Sequence, residues 1–137
     1  MSDRSENERT ILLAEDDSTV REFIVELLTT GGFKVLTAED GLDALEKAKN
    51  HSGKIDLLLS NLQMPRMTGI ELATQISMER PETKVLLMSG LTSGLLLLGK
   101  GWQFLPKPFL PDMLKQKIEL VLNEAQIVPN LGEHDER

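Results

Sequence analysis

Three stretches of this chain are almost continuously apolar yet short: TILLA at Thr10–Ala14, IDLLLSN at Ile55–Asn61 and KVLLM at Lys84–Met88. Runs of this length are too short to hold a helix on their own, and they lack the alternation of a strand with one face in water. Strands buried on both faces read this way, and they belong to parallel sheets covered by helices on both sides. KVLTA at Lys34–Ala38 and WQFL at Trp102–Leu105 are weaker members of the same set. Whatever else the chain does, it has to bury both faces of a sheet.

Between the runs the period changes to that of a helix. Val20, Ile24, Leu27 and Leu28 line one face, with Asp17 or Ser18 as cap, Thr19 to Glu22 at capping-box spacing, and Gly31-Gly32 as the stop. Asp40 caps a segment carrying Leu42, Leu45 and Ala48 that stops at NHSG. A third helix starts near Gly69, carries Ile70, Ala73 and Ile76, and is closed by Pro81. The segment around SGLLLLG is a weak helix candidate. Pro111 opens a last helix whose Leu114, Ile118, Val121 and Leu122 share a face. Strand and helix thus alternate five times. Right-handed crossovers turn that pattern into an α/β fold, a doubly wound (βα)5 with a five-stranded parallel sheet. In the flavodoxin-like order 2-1-3-4-5, ligands bind beyond the carboxyl ends of the strands, at the switch between the first and third.

The 137 residues suffice for one domain with one core, and a hydrophobic share of 40% is ordinary for a globular chain. A net charge of -7 argues against a general nucleic-acid or phosphate-binding surface. The absence of cysteine excludes disulfides and thiolate metal sites and fits the cytosol. MSDRSENERT is too polar for a signal peptide, and no run approaches the roughly 20 apolar residues of a membrane span. The expected organisation is a flexible lead over residues 1–9, a single domain over 10–125 and a polar tail over 126–137, in the cytoplasm.

In a parallel sheet the residues that end the strands meet at one edge. Glu15, Asp16 and Asp17 follow the first strand, Asn61 ends the third, Ser89 follows the fourth and Lys107 the fifth. Paired carboxylates with a backbone carbonyl suit Mg2+, which keeps several waters and takes few protein ligands. A hydroxyl and a lysine suit the oxygens of a phosphoryl group, whose transfer needs mainly positioning and charge neutralisation. A nucleophile is missing, and Asn61 stands in its place. Plainer roles exist for each residue: the acids as caps, Asn61 and Ser89 as turn formers, Lys107 as a solvated lysine. Met64, Met67, Met78 and Met88 read as core and loop packing, Trp102 and Phe104 as one buried face of a strand, and His51 and His134 are too far apart in sequence to suggest a zinc site.

ILLAEDDSTVRE, DLLLSNLQMPRMTG, VLLMSG and FLPKPF, in that order at four strand ends, resemble the receiver domain of bacterial two-component response regulators, from about Thr10 to Glu124. The resemblance implies Glu15 and Asp16 as the acidic metal-binding pair, the Gln63 backbone carbonyl as a further ligand, and Mg2+ as cofactor. It implies Ser89 as the switch hydroxyl, Phe104 as the aromatic switch, Lys107 as the site lysine, and a cis bond before Pro108. It also implies a signalling module rather than an enzyme. Its partners would be a sensor histidine kinase or phosphotransfer protein and a downstream target protein, with no membrane and no direct nucleic-acid contact.

Asn61 departs from the family, which carries its phosphoacceptor aspartate there. A carboxamide has nearly the same shape but cannot form the acyl phosphate. It also removes a charge that, at about 4 Å and an effective dielectric near 20, interacts with a unit charge by about 4 kcal/mol. Phosphorylation is therefore expected to be blocked, Mg2+ weakened or absent, and Lys107 drawn toward Glu15 or Asp16. Either the chain is a phosphorylation-independent pseudo-receiver, a constitutive interaction module, or Asn61 is an engineered block. Two other functions occur on related folds. A flavodoxin-like cofactor binder needs a phosphate cradle where AEDDST would repel phosphate, and an aspartate-nucleophile phosphatase needs an aspartate where Glu15 stands. Residues 90–106 are also fewer than the family's usual fourth helix and fifth strand require, which bears on the output surface.

Overall fold

Every residue of the TILLA and IDLLLSN runs that enters the sheet is buried, so the two-sided burial read from the sequence is met by the structure. The computed structural model describes residues 8–90 and 101–124. Its elements are β1 (Thr10–Ala14), α1 (Ser18–Thr30), β2 (Lys34–Ala38), α2 (Gly41–Asn50), β3 (Leu57–Asn61), α3 (Gly69–Glu79), β4 (Lys84–Ser89), β5 (Gln103–Pro106) and α4 (Pro111–Glu124). The strands form one parallel sheet in the order β2-β1-β3-β4-β5. This is the flavodoxin-like order expected from the alternation.

The period of two along each strand divides the core. Leu12, Leu58 and Leu87 face one layer with Ala44, Ala48, Leu72, Ala73 and Ile76 of α2 and α3. Ile11, Leu13, Leu57 and Leu59 face the other with Ile24, Leu28, Leu114, Ile118 and Val121 of α1 and α4. Burying one such leucine or isoleucine is worth about 1.5–3 kcal/mol, so the central strands β1 and β3 carry much of the apolar driving force. Their ends are accordingly the most firmly placed points of the carboxyl edge.

Local chemistry corrects several expectations. Of the two expected caps of α1 it is Asp17 that serves, its Oδ1 accepting from the amides of Thr19 at 2.9 Å and Val20 at 3.2 Å. Thr19 and Glu22 therefore lie inside the helix, and no capping box forms there. The capping box is at Thr68 and Glu71, at the start of α3. The inward face of α2 runs through Gly41, Ala44 and Ala48, which leaves Leu42 exposed. Met78 likewise lies off the buried stripe of α3 and is 76% exposed, whereas Met67 and Met88 are buried. The third strand starts at Leu57 rather than Ile55, because the Asp56 carboxylate accepts the Thr10 amide at 2.8 Å and closes the amino end of the sheet. The fifth strand is shifted by one residue, to Gln103–Pro106, with Trp102 and Phe104 packed against the α2–α3 side of the core. The SGLLLLG helix candidate, residues 1–7 of the lead and the tail from 126 lie outside the described residues. Among the described residues, no helix is long and apolar enough to cross a membrane.

Candidate functional site

Glu15 continues the β1–β2 ladder by one residue, its amide donating to the Ala38 carbonyl at 3.1 Å. That placement turns its side chain into the edge, where it is 1% exposed. A buried carboxylate has to be matched by donors, and three converge on it. Oε2 accepts from the Asp17 amide at 3.0 Å and from Asn61 Nδ2 at 2.9 Å. Oε1 accepts from Lys107 Nζ at 3.1 Å. The Glu15 backbone carbonyl is held in turn by the Arg21 guanidinium at 2.7 Å, from the second turn of α1.

Asn61 is the centre of the arrangement. Its Nδ2 donates to Asp16 Oδ1 at 2.7 Å as well as to Glu15, and its Oδ1 accepts from Lys107 Nζ at 2.7 Å. The partners dictate that orientation. Carboxylates only accept and an ammonium only donates, so the N–H side must face the acids and the oxygen must face Lys107. The amide is itself buried, 7% exposed.

The backbone beneath this side chain is fixed from both sides. The Leu62 amide donates to Met88 at 2.8 Å, and the Gly69 amide donates to the Leu62 carbonyl at 2.8 Å. A Cβ on Gly69 would stand 2.1 Å from the Asn61 carbonyl oxygen, so only glycine lets α3 start this close to the end of β3. Lys107 is tied to the sheet by its amide, which donates to the Ser89 carbonyl at 2.9 Å, and its bond to Pro108 is cis.

Of the residues singled out in the sequence, the structure joins Glu15, Asp16, Asn61 and Lys107 directly. Ser89 is buried at the end of β4 on the same edge, opposite Pro106. Gln63 lies exposed in the loop after β3. Phe104 is on β5 opposite Leu87, half-buried in the core rather than in the polar cluster.

A second acid–cation cluster occupies the β2 side of the edge. Asp40 caps α2 through the Asp43 amide at 2.8 Å and pairs with Arg66, which has a positive φ of 69° in the β3–α3 loop. The hydrogen bond from Asp43 and then the Arg66 guanidinium hold the Asp40 carboxyl below its ordinary value, and Asp40 raises Arg66 in return. Met67 presses on Gly41 beside this pair, where a Cβ would meet the Met67 Cβ at 2.7 Å. Sequence reading missed Arg21, Arg66 and the close approach at Gly69. Only the first left a trace, as a cation one turn into the helix that follows three acids.

The donor set does not fit a divalent cation as arranged. Mg2+ needs oxygen lone pairs, whereas the space between Glu15 and Asp16 is filled by N–H groups and Glu15 already carries an ammonium. Among the described residues no three acidic, histidine or cysteine side chains are grouped to hold a metal.

The family model for the response regulator receiver domain matches residues 11–119. The chain is 30% identical over 118 residues to the chemotaxis protein CheY of Bacillus subtilis, covering 82% of this chain and 97% of that one. It is 38% identical over 80 residues to the response regulator receiver protein CpdR of Brucella abortus, covering 58% of this chain and 65% of that one. The chain spans less than two thirds of several curated relatives it matches, and only 13% of the sensor kinase CckA of Brucella abortus. It is similar in structure to the response regulator TrrA of Thermotoga maritima in complex with Mg2+-BeF. That match has a TM-score of 0.73 at 30% identity over 82% of this chain and 98% of the other.

Proposed function

The chain belongs to the response regulator receiver family of two-component signalling, and from that premise we propose that it is a receiver with an amide, Asn61, at its phosphoacceptor position. Receivers are signalling modules that bind Mg2+ and interact with histidine kinases and downstream effectors. In this reading the domain over residues 10–125 works in the cytosol. It docks to a sensor histidine kinase or phosphotransfer protein and to a target protein. It gains no phosphate as it stands, because a carboxamide supplies no carboxylate oxygen to attack phosphorus. Glu15, Asp16 and the Gln63 carbonyl form the acidic side of the site, where Mg2+ is held weakly at best. Ser89 and Lys107 form the phosphoryl side, and Phe104 is the aromatic that follows them.

One observation carries the proposal. Asn61 ends the central strand β3, and its amide touches Glu15, Asp16 and Lys107 together. That is the convergence a phosphoacceptor needs, with a neutral group at its centre. A flavodoxin-like cofactor role has no such support, since the β1–α1 turn presents Glu15, Asp16 and Asp17 where a phosphate would have to sit.

Mass spectrometry after treatment with acetyl phosphate and Mg2+ tests it on the parent, Asn61→Asp and Asn61→Ala. Only Asn61→Asp should gain the mass of a phosphoryl group. A labelled parent would refute the proposal. An unlabelled Asn61→Asp protein, under conditions that label an ordinary receiver, would instead mark a phosphate-independent docking module.

A further inference from the structure

We propose that Asn61 and Lys107 together lock this site against divalent cations, with Lys107 as the residue that keeps the lock closed. The inference rests on the reading of this edge as a receiver site, and adds a role for a residue that Asn61→Asp leaves untouched. Asn61 alone does not account for closure. An asparagine side chain has two faces, and with its oxygen turned toward Glu15 and Asp16 it would be an acceptable neutral ligand for a hard cation. What opposes that turn is on the other side of the amide. Lys107 Nζ lies 2.7 Å from Asn61 Oδ1, so turning the amide over would set its N–H groups against an ammonium, donor against donor. The same ammonium holds Glu15 Oε1 at 3.1 Å, while Oε2 is shared by Asn61 and the Asp17 amide. Asp17 Oδ1 is engaged in the cap of α1, where it accepts from the Thr19 and Val20 amides.

The two residues thus divide the work of a cation. The amide supplies the hydrogen bonds that bridge the two acids, and the ammonium supplies the charge. Lys107 is 27% exposed at its side chain and Glu15 1%, so the charge pair is poorly screened and the orientation it imposes on the amide is strong. Removing the positive charge frees the amide to turn and frees Glu15 Oε1. The site should then admit a cation although Asn61 is still present.

Mg2+ titrations of the full chain, by calorimetry and by thermal melting at matched ionic strength, test this. The parent should show no melting shift at about 10 mM Mg2+, since a cation stabilises only what it binds. Asn61→Asp should bind roughly tenfold tighter than the parent or better, given the size of one added charge beside the site. Lys107→Met should fall between them, and Lys107→Arg, which keeps charge and donors, should stay closed. Lys107→Gln repeats the neutral test in a form that remains folded if the methionine variant does not. The proposal fails if the parent binds Mg2+ as tightly as Asn61→Asp, or if Asn61→Asp gains no affinity. It also fails if both neutral variants at 107 stay as unresponsive as the parent. Because the readout is cation binding, a failure of phosphoryl labelling in Asn61→Asp would count against the proposed function and leave this lock standing.

Discussion

At the carboxyl edge of the sheet, Glu15, Asp16, Asn61 and Lys107 meet where strands end, while a few residues away Asp40 meets Arg66 where a helix cap touches a loop. Both clusters join an acid to a cation across long stretches of sequence. They differ in what holds them. Glu15 is inside the protein and its partners lie in or directly beside strand ends, whereas Arg66 reaches in from a side chain that is 59% exposed. A pair of the first kind has no water to fall back on when one partner is removed, and a pair of the second kind does. The edge therefore contains one cluster that specifies structure and one that trims it.

The sharpest way to break that comparison is to remove each cation with the same substitution. Lys107→Met leaves the Glu15 carboxylate buried with only the Asp17 and Asn61 donors. The loss should be about 3 kcal/mol, the low end for removing one partner of a buried pair, because Lys107 keeps some contact with water. In a domain of this size that is a fall of roughly 10 °C in Tm. Thermal and urea unfolding would measure it, and Mg2+ should restore part of the loss in this variant alone. If Arg66→Met costs as much, the two clusters are not different in kind.

The buried cluster was also the more legible in the sequence. Its members end or follow strands, and β1, β3 and β4 announce themselves as runs with no polar face. Lys107 could be sent toward Glu15 on charge alone once Asn61 was seen to be neutral. The direction of the Asn61 amide could not be read, because it depends on three partners rather than on the residue. The exposed cluster was invisible for a different reason. Asp40 already had a local explanation as a cap, and Arg66 had one as part of a turn, so nothing asked for a bond across 26 residues. Arg80 hid in the same way, donating to the carbonyls of Ala48, His51 and Gly53 at the end of α2. The capping box expected at Thr19 and Glu22, and the inward faces expected for Leu42 and Met78, fail for a common reason. A shift of two residues among neighbouring cap formers, or of 100° around a helix, is within what a short pattern leaves open.

A gentler perturbation reaches the buried cluster without touching its polar atoms. Gly69→Ala places a methyl group where the Asn61 carbonyl oxygen now lies, and β3 has the sheet on both sides and little room to give. Overpacking of this kind costs about 2 kcal/mol, reduced slightly by alanine's better helix propensity. Gly41→Ala is the matching change at the other cluster. Its methyl meets Met67, whose side chain and loop can shift, so it should cost less. Urea unfolding of both variants decides the point, and a larger loss at Gly41 would show that the loop, not the strand end, is the rigid part of the edge.

The smallest effect is expected at the Asp40–Arg66 pair, and its signature is a pH dependence. The Asp40 carboxyl lies below its ordinary 3.8 because of the Asp43 amide first and Arg66 second. A carboxyl lowered by folding favours the charged form in the native state. Its contribution is therefore present above 3.8 and is lost as pH falls through the lower, folded value. Arg66→Met removes the second cause and leaves the first. At neutral pH the variant should melt slightly below the parent. The gap should narrow as the solution is taken below the ordinary carboxylate range, where Asp40 is neutral in both proteins. Part of the acid sensitivity should persist in the variant, since the Asp43 hydrogen bond still prefers a charged cap. Asp40→Asn, which keeps a capping oxygen and abolishes the titration, should lose that remainder too. Melting curves of the three proteins at neutral pH and near pH 3 separate these contributions. A gap between parent and Arg66→Met that widens in acid would mean that the pair opposes the native state rather than trimming it in its favour.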